Sequence, residues 1–67
     1  MIKITLNNNT EYFDKNMTIN ELLTYKKFTF KMLVISINGN LVKRDEYDSS
    51  IVKEGDNVSI IHLISGG

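Results

Sequence analysis

Residues 17–26 read MTINELLTYK, the stretch of the chain with the spacing of a helix, and its place between alternating segments decides the fold. Thr18-Ile19-Asn20-Glu21 has capping-box spacing, in which the Thr18 hydroxyl and the Glu21 carboxylate each satisfy a backbone N–H exposed at a helix start. Met17 and Leu22 occupy the positions of the accompanying hydrophobic staple. Ile19, Leu22 and Leu23 fall on one helical face, so the segment is predicted to be a short amphipathic helix that ends near Lys26.

Outward from this helix the period changes from 3.6 to 2. Ile2, Ile4 and Leu6 alternate with Lys3 and Thr5, which places three apolar side chains on one face of a strand. Asn7-Asn8-Asn9 follows, and asparagine tolerates the left-handed backbone of a tight hairpin, so Thr10 to Phe13 is predicted to return as a second strand paired with the first. On the C-terminal side, Thr29, Phe30 and Lys31 read as a loop. Leu33 to Ile37 is rich in β-branched residues, Asn38-Gly39 reads as a turn, and Leu41-Val42 resumes as a short strand. A polar loop from Arg44 to Ser50 and a turn at Glu54-Gly55-Asp56 precede a last strand, Val58 to Leu63. The predicted order is ββαβ, a short strand, then β.

The class is therefore α+β, a mixed β-sheet packed on one main helix. Its expected core comprises Ile2, Ile4, Leu6, Ile19, Leu22, Leu23, Val58 and Ile60, with either Val34 or Ile35. Strand parity is not taken to choose between the two faces of Leu33 to Ile37.

At 67 residues the chain is predicted to form one small domain over 1–67, since a chain of this size buries only about 60% of its unfolded surface. With 42% hydrophobic and 24% charged residues and no proline, it is too apolar to read as disordered. Eight basic residues balance eight acidic ones, leaving no field to attract phosphates or anionic lipid, so neither nucleic acid nor membrane is expected as a partner. Apolar runs are far shorter than the roughly 18 residues of a membrane span. Met1-Ile2-Lys3-Ile4 enters a strand pattern without signal-peptide order, so a cytoplasmic location is expected. The absence of cysteine excludes disulfides, thiolate metal sites and a persulfide carried on this chain.

Conventional catalytic constellations are not evident. His62 falls inside the last strand with no cysteine to join it in a nucleophilic or zinc site, and it reads as a surface histidine. Asp45, Glu46 and Asp48 read as a solvated acidic loop rather than as opposed catalytic carboxylates. Gly39 and Gly55 stand singly in turns, so there is no phosphate-binding loop.

What remains is Ile64-Ser65-Gly66-Gly67. Two adjacent glycines at a chain end arise by chance in roughly one chain in 200. Lacking side chains, Gly66 and Gly67 are expected to be mobile and able to thread a narrow enzyme channel, presenting the Gly67 carboxylate for activation by another enzyme's ATP chemistry. The plain alternative is a frayed end without function. Parity adds a second expectation: if Val58 and Ile60 face the core, Ser59, Ile61 and Leu63 face away. Glycines alone cannot hold a tail in an active site, so Ile61, Leu63 and Ile64 are candidates for an apolar docking patch.

The block Ile37-Asn38, Leu41-Val42-Lys43-Arg44, Glu54-Gly55-Asp56 and Ile64-Ser65-Gly66-Gly67, with Thr18-Ile19-Asn20-Glu21-Leu22-Leu23 at the helix start, resembles the thiamine-biosynthesis sulfur carriers of the ThiS family. The likeness spans nearly the whole chain. Two positions depart from the family's usual pattern: Lys43 stands where proline is common, and Ser65 where alanine or glycine precedes the glycine pair. The resemblance implies a ubiquitin-like β-grasp fold, monomeric when free. It also implies that a ubiquitin-activating-like adenylyltransferase of the ThiF type uses MgATP to form a Gly67 acyl-adenylate, Ser65 and Gly66 threading its active site. A sulfur donor such as a cysteine desulfurase then supports conversion to a thiocarboxylate, and a thiazole synthase of the ThiG type takes the sulfur. On this reading the chain is a cosubstrate rather than an enzyme and binds no cofactor itself. The rival readings are the small subunit of molybdopterin synthase, a ubiquitin-like modifier, and a β-grasp module that only binds a partner.

Overall fold

In a computed structural model, which describes residues 1–28 and 32–62, the capping box closes as its spacing predicts. The Glu21 N–H donates to Thr18 Oγ1 at 3.0 Å and the Thr18 N–H donates to Glu21 Oε1 at 2.9 Å, starting helix α1 (Ile19–Tyr25). The two preceding orphan donors of the first turn are met from a distant loop: Ile19 N–H donates to Ser50 O and Asn20 N–H to Tyr47 O, each at 2.9 Å. At the other end Lys27 takes a left-handed φ of 60°, and the Lys27 and Phe28 N–H groups donate to Thr24 O and Leu23 O. That is a Schellman cap with lysine at the position glycine usually fills.

Five strands form the main sheet, in the spatial order β2 (Asn9–Phe13), β1 (Ile2–Leu6), β7 (Asn57–His62), β4 (Leu33–Ile37) and β5 (Asn40–Val42). β1 and β7 run parallel and the other neighbours antiparallel, so the sheet is mixed. Asn7 and Asn8, both at positive φ, make the β1–β2 turn, while Asn9, expected in that turn, already pairs with Leu6 as the first residue of β2; Asn38 and Gly39 make the β4–β5 turn as the sequence suggests. One face of the sheet lies on α1.

The core comprises the predicted Ile2, Ile4, Leu6, Ile19, Leu22, Leu23, Val58 and Ile60, and Ile35 rather than Val34. Pairing decides that choice, because Ile35 stands opposite Ile60 on β7 and Val42 on β5, both buried, whereas Val34 stands opposite exposed Ile61. Phe13, Val42 and Val52 also belong to the core, and Met17 packs against it half-buried.

Two features correct the predicted order. Met17–Thr18 (β3) and Ile51–Val52 (β6) pair antiparallel as a second, two-stranded sheet that buries Val52 beneath the helix start. Pairs of two residues carry no readable period, so the sequence does not announce them. The polar loop after Val42 also contains a single 3-10 turn, Arg44–Glu46, in which Glu46 Oε1 accepts the Lys43 N–H; beyond the turn, Asp48 Oδ1 accepts from Asn20 Nδ2. The acidic residues there are exposed, as expected, but two of the three brace backbone and helix. Among the described residues no helix is long and apolar enough to cross a membrane. The expected loop at Thr29, Phe30 and Lys31 lies outside the described residues.

Candidate functional site

β7 is the strand that leads toward Gly67, and it is the middle strand of the main sheet. Its first half is held on both sides: Thr5 and Leu6 of β1 stand opposite Asn57 and Val58, while Ile37 and Ser36 of β4 stand opposite Val58 and Ser59. Farther along, β4 is the one described strand that accompanies it, through Val34 opposite Ile61 and Leu33 opposite His62. β7 is thus paired on both sides over its first half and on one side by a described strand at Ile61 and His62.

Parity along β7 is as predicted up to the last described residues. Val58 and Ile60 point into the core, Ser59 is half-buried, and Ile61 is 53% exposed on the outer face. The outer face brings Ile61 beside Val34, with Ser36, Ser59 and the 64%-exposed Leu41 in the next row. Leu41 was not singled out as a surface residue from the sequence, yet its placement follows from one local signal. A two-residue turn at Asn38-Gly39 forces Ile37 opposite Asn40 and hence Ser36 opposite Leu41. Beside Val34 and Leu41 runs an open groove of ≈ 400 Å³ edged by Met32, Lys43, Arg44 and Tyr47.

The remaining candidates, Leu63, Ile64, Ser65, Gly66 and Gly67, lie outside the described residues, as does the expected end of the last strand at Leu63. His62 is exposed at the end of β7. Among the described residues no group of His, Asp and Glu side chains is arranged to hold a metal ion, and no buried side-chain polar atom lacks a hydrogen-bond partner. Within the described residues this surface is mixed, with Ile61, Val34 and Leu41 as its apolar members beside Ser36 and Ser59.

The ThiS family model matches residues 4–67. A crystal structure of the thiamine biosynthesis protein (ThiS) from Geobacter metallireducens is 26% identical, with a TM-score of 0.87 over 98% of this chain and 100% of that one. An NMR solution structure of a thiamine biosynthesis protein from Geobacter metallireducens is 26% identical, with a TM-score of 0.79 over 98% and 88%. A search of curated proteins returns no match. The mixed sheet on one helix is thus the ubiquitin-like β-grasp fold.

Proposed function

This chain belongs to the ThiS family, and from that premise we propose that it carries sulfur for thiamine biosynthesis on the carboxylate of Gly67. The carboxylate is a poor electrophile until it attacks the α-phosphorus of MgATP, bound by a ThiF-type adenylyltransferase, and releases pyrophosphate. The resulting acyl-adenylate is a mixed anhydride. Hydrosulfide, released by a thiol reductant from the persulfide of a donor such as a cysteine desulfurase, then attacks the acyl carbon, AMP leaves, and a thiocarboxylate remains. A ThiG-type thiazole synthase consumes that sulfur. The chain supplies the handle and the partners supply the catalytic groups and MgATP, so it acts as a cosubstrate.

The observation that carries this reading is the family match through Gly67 on a fold whose central strand leads to that residue. Ser65 and Gly66 suit threading through a channel, because a glycine backbone meets little steric resistance. Ile61, together with Leu63 and Ile64, supplies apolar area for docking, and Val34 and Leu41 extend it across the outer face.

The test is intact-mass measurement after incubation with the adenylyltransferase, MgATP and a sulfide source. The expected product has one oxygen replaced by sulfur. Deleting Gly67, or adding a residue after it, abolishes this product while leaving the thermal unfolding curve unchanged; a wild-type yield from either variant overturns the assignment.

A further inference from the structure

Asn7 makes contacts that its turn does not require. Its N–H donates to Val58 O at 2.9 Å, the last backbone bond that the β1 side gives to β7 before the chain turns away into β2. Its carboxamide then continues the ladder. Oδ1 accepts the Ile60 N–H at 2.7 Å and Nδ2 donates to Ile60 O at 3.1 Å, so one side chain engages both backbone groups of a residue 53 positions away. These groups are partly buried. The positive φ of 50° at Asn7 would be served as well by glycine, so the turn alone does not account for the carboxamide.

The other end of β7 provides a natural comparison. Asn38, at φ 51°, donates its N–H to Asn57 O at 2.7 Å, accepts the Asn57 N–H on Oδ1 at 2.8 Å, and donates from Nδ2 to Asp56 Oδ1 at 3.0 Å. Two left-handed asparagines thus each hold the same strand through a backbone N–H and an accepting Oδ1, and Asn7 alone of the two adds an Nδ2 bond to the strand's backbone. Asn38 grips where β7 begins, and Asn7 grips next to Ile61, on the side where β1 has already left.

We propose that Asn7 is a positioning residue for partner docking, its carboxamide fixing Ile60 and with it the end of β7, the strand that precedes Gly67 in the chain. The proposal rests on the carrier reading. Beyond His62 the chain can reach at most about 17 Å, so the origin of the segment matters to whether Gly67 arrives at a partner's nucleotide. Without the Asn7 carboxamide, β4 is the one described strand that still pairs with the end of β7. The residues that loosen must then be ordered again on docking, a cost that falls on productive binding rather than on chemistry.

The experiment compares Asn7→Gly with Asn38→Gly, both of which keep the left-handed turn and remove one carboxamide. Amide hydrogen exchange, referenced to each variant's global stability, is expected to quicken at Ile60 in Asn7→Gly and to stay at the wild-type rate there in Asn38→Gly. In MgATP-dependent adenylation, KM for Asn7→Gly is expected to rise on the order of fivefold, the worth of roughly one net hydrogen bond, with kcat unchanged. KM for Asn38→Gly stays at the wild-type value. Asn7→Asp, which keeps the acceptor for Ile60 N–H and loses the donor to Ile60 O, falls between, and it takes the place of Asn7→Gly should that variant fail to fold. Equal KM values for the two glycine variants, or an unchanged Ile60 amide, overturn the positioning role alone. A wild-type chain that the adenylyltransferase does not act on overturns the carrier reading and the positioning role with it.

Discussion

Ile60 and Ile61 are adjacent, identical in composition and in the same strand, yet one is 5% exposed and the other 53%. Ile60 faces the helix and stands opposite Ile35, while Ile61 faces outward and stands opposite half-buried Val34. The inner face is closed by α1, which supplies Ile19, Leu22 and Leu23. The outer face mixes apolar Val34, Leu41 and Ile61 with Ser36, Ser59, Lys3 and Tyr12. What separates the two isoleucines is not hydrophobicity but which side of a pleat each falls on. A side chain buried by its own chain stabilises the fold; one left outside is available to a partner.

The sharpest way to break this comparison is truncation of each isoleucine. Ile60→Ala is expected to cost about 2–5 kcal/mol, the range for a large core side chain cut to alanine, whereas Ile61→Ala stays within roughly 0.5 kcal/mol of wild type. Urea denaturation followed by circular dichroism measures both. Similar losses at the two positions would show that the outer face contributes to the core after all.

A smaller effect is expected when charge is placed on the outer face. Ile61→Asp should weaken binding to the adenylyltransferase by about 2 kcal/mol, the usual threshold for an interface hot spot, with little change in unfolding midpoint. Titration calorimetry against the partner reads this directly. Unchanged affinity in the folded variant would mean that Ile61 is one of the scattered apolar residues common on protein surfaces.

The smallest expected effect lies where neither face decides the outcome, at the end of the helix beneath the inner one. Lys27 holds a left-handed φ of 60° as the penultimate link of the Schellman cap, a conformation that is unfavourable for a residue with a Cβ. Lys27→Gly is expected to raise stability by about 0.5–1 kcal/mol, the relief of that strain less the added freedom of the unfolded chain. In a domain this small, each kcal/mol moves Tm by about 4–8 °C, so a scanning calorimeter resolves the change. A lower Tm would show that the Lys27 side chain contributes more than its backbone costs.

Much of the fold was legible because its signals are local. The capping box at Thr18 and Glu21 needs only four consecutive residues, and both of its bonds form. The alternation Ile2, Ile4, Leu6 and the turns at Asn7-Asn8 and Asn38-Gly39 are likewise settled within short windows, and each is found where expected. Of the candidate site only Ile61 lies within the described residues, and its position on the outer face follows from parity once Val58 and Ile60 are placed inside. Its neighbours Val34 and Leu41 were harder to place, since they join Ile61 only through the registers of β4 with β7 and β5.

By itself, then, the sequence determined the helix, the longer strands, the two asparagine turns and the likeness to sulfur carriers, all of which depend on residues near one another in the chain or on a pattern spanning it. Tertiary structure alone decided that Ile35 and not Val34 enters the core, that Met17–Thr18 pairs with Ile51–Val52, and that the Asn7 carboxamide holds Ile60. In the run Leu33 to Ile37 one face carries Leu33, Ile35 and Ile37 and the other Val34 and Ser36, so the contrast rests on a single serine and the choice is settled by whichever face meets the helix. A two-residue strand has no period at all, and a hydrogen bond between residues 53 positions apart leaves no trace in the residues between them.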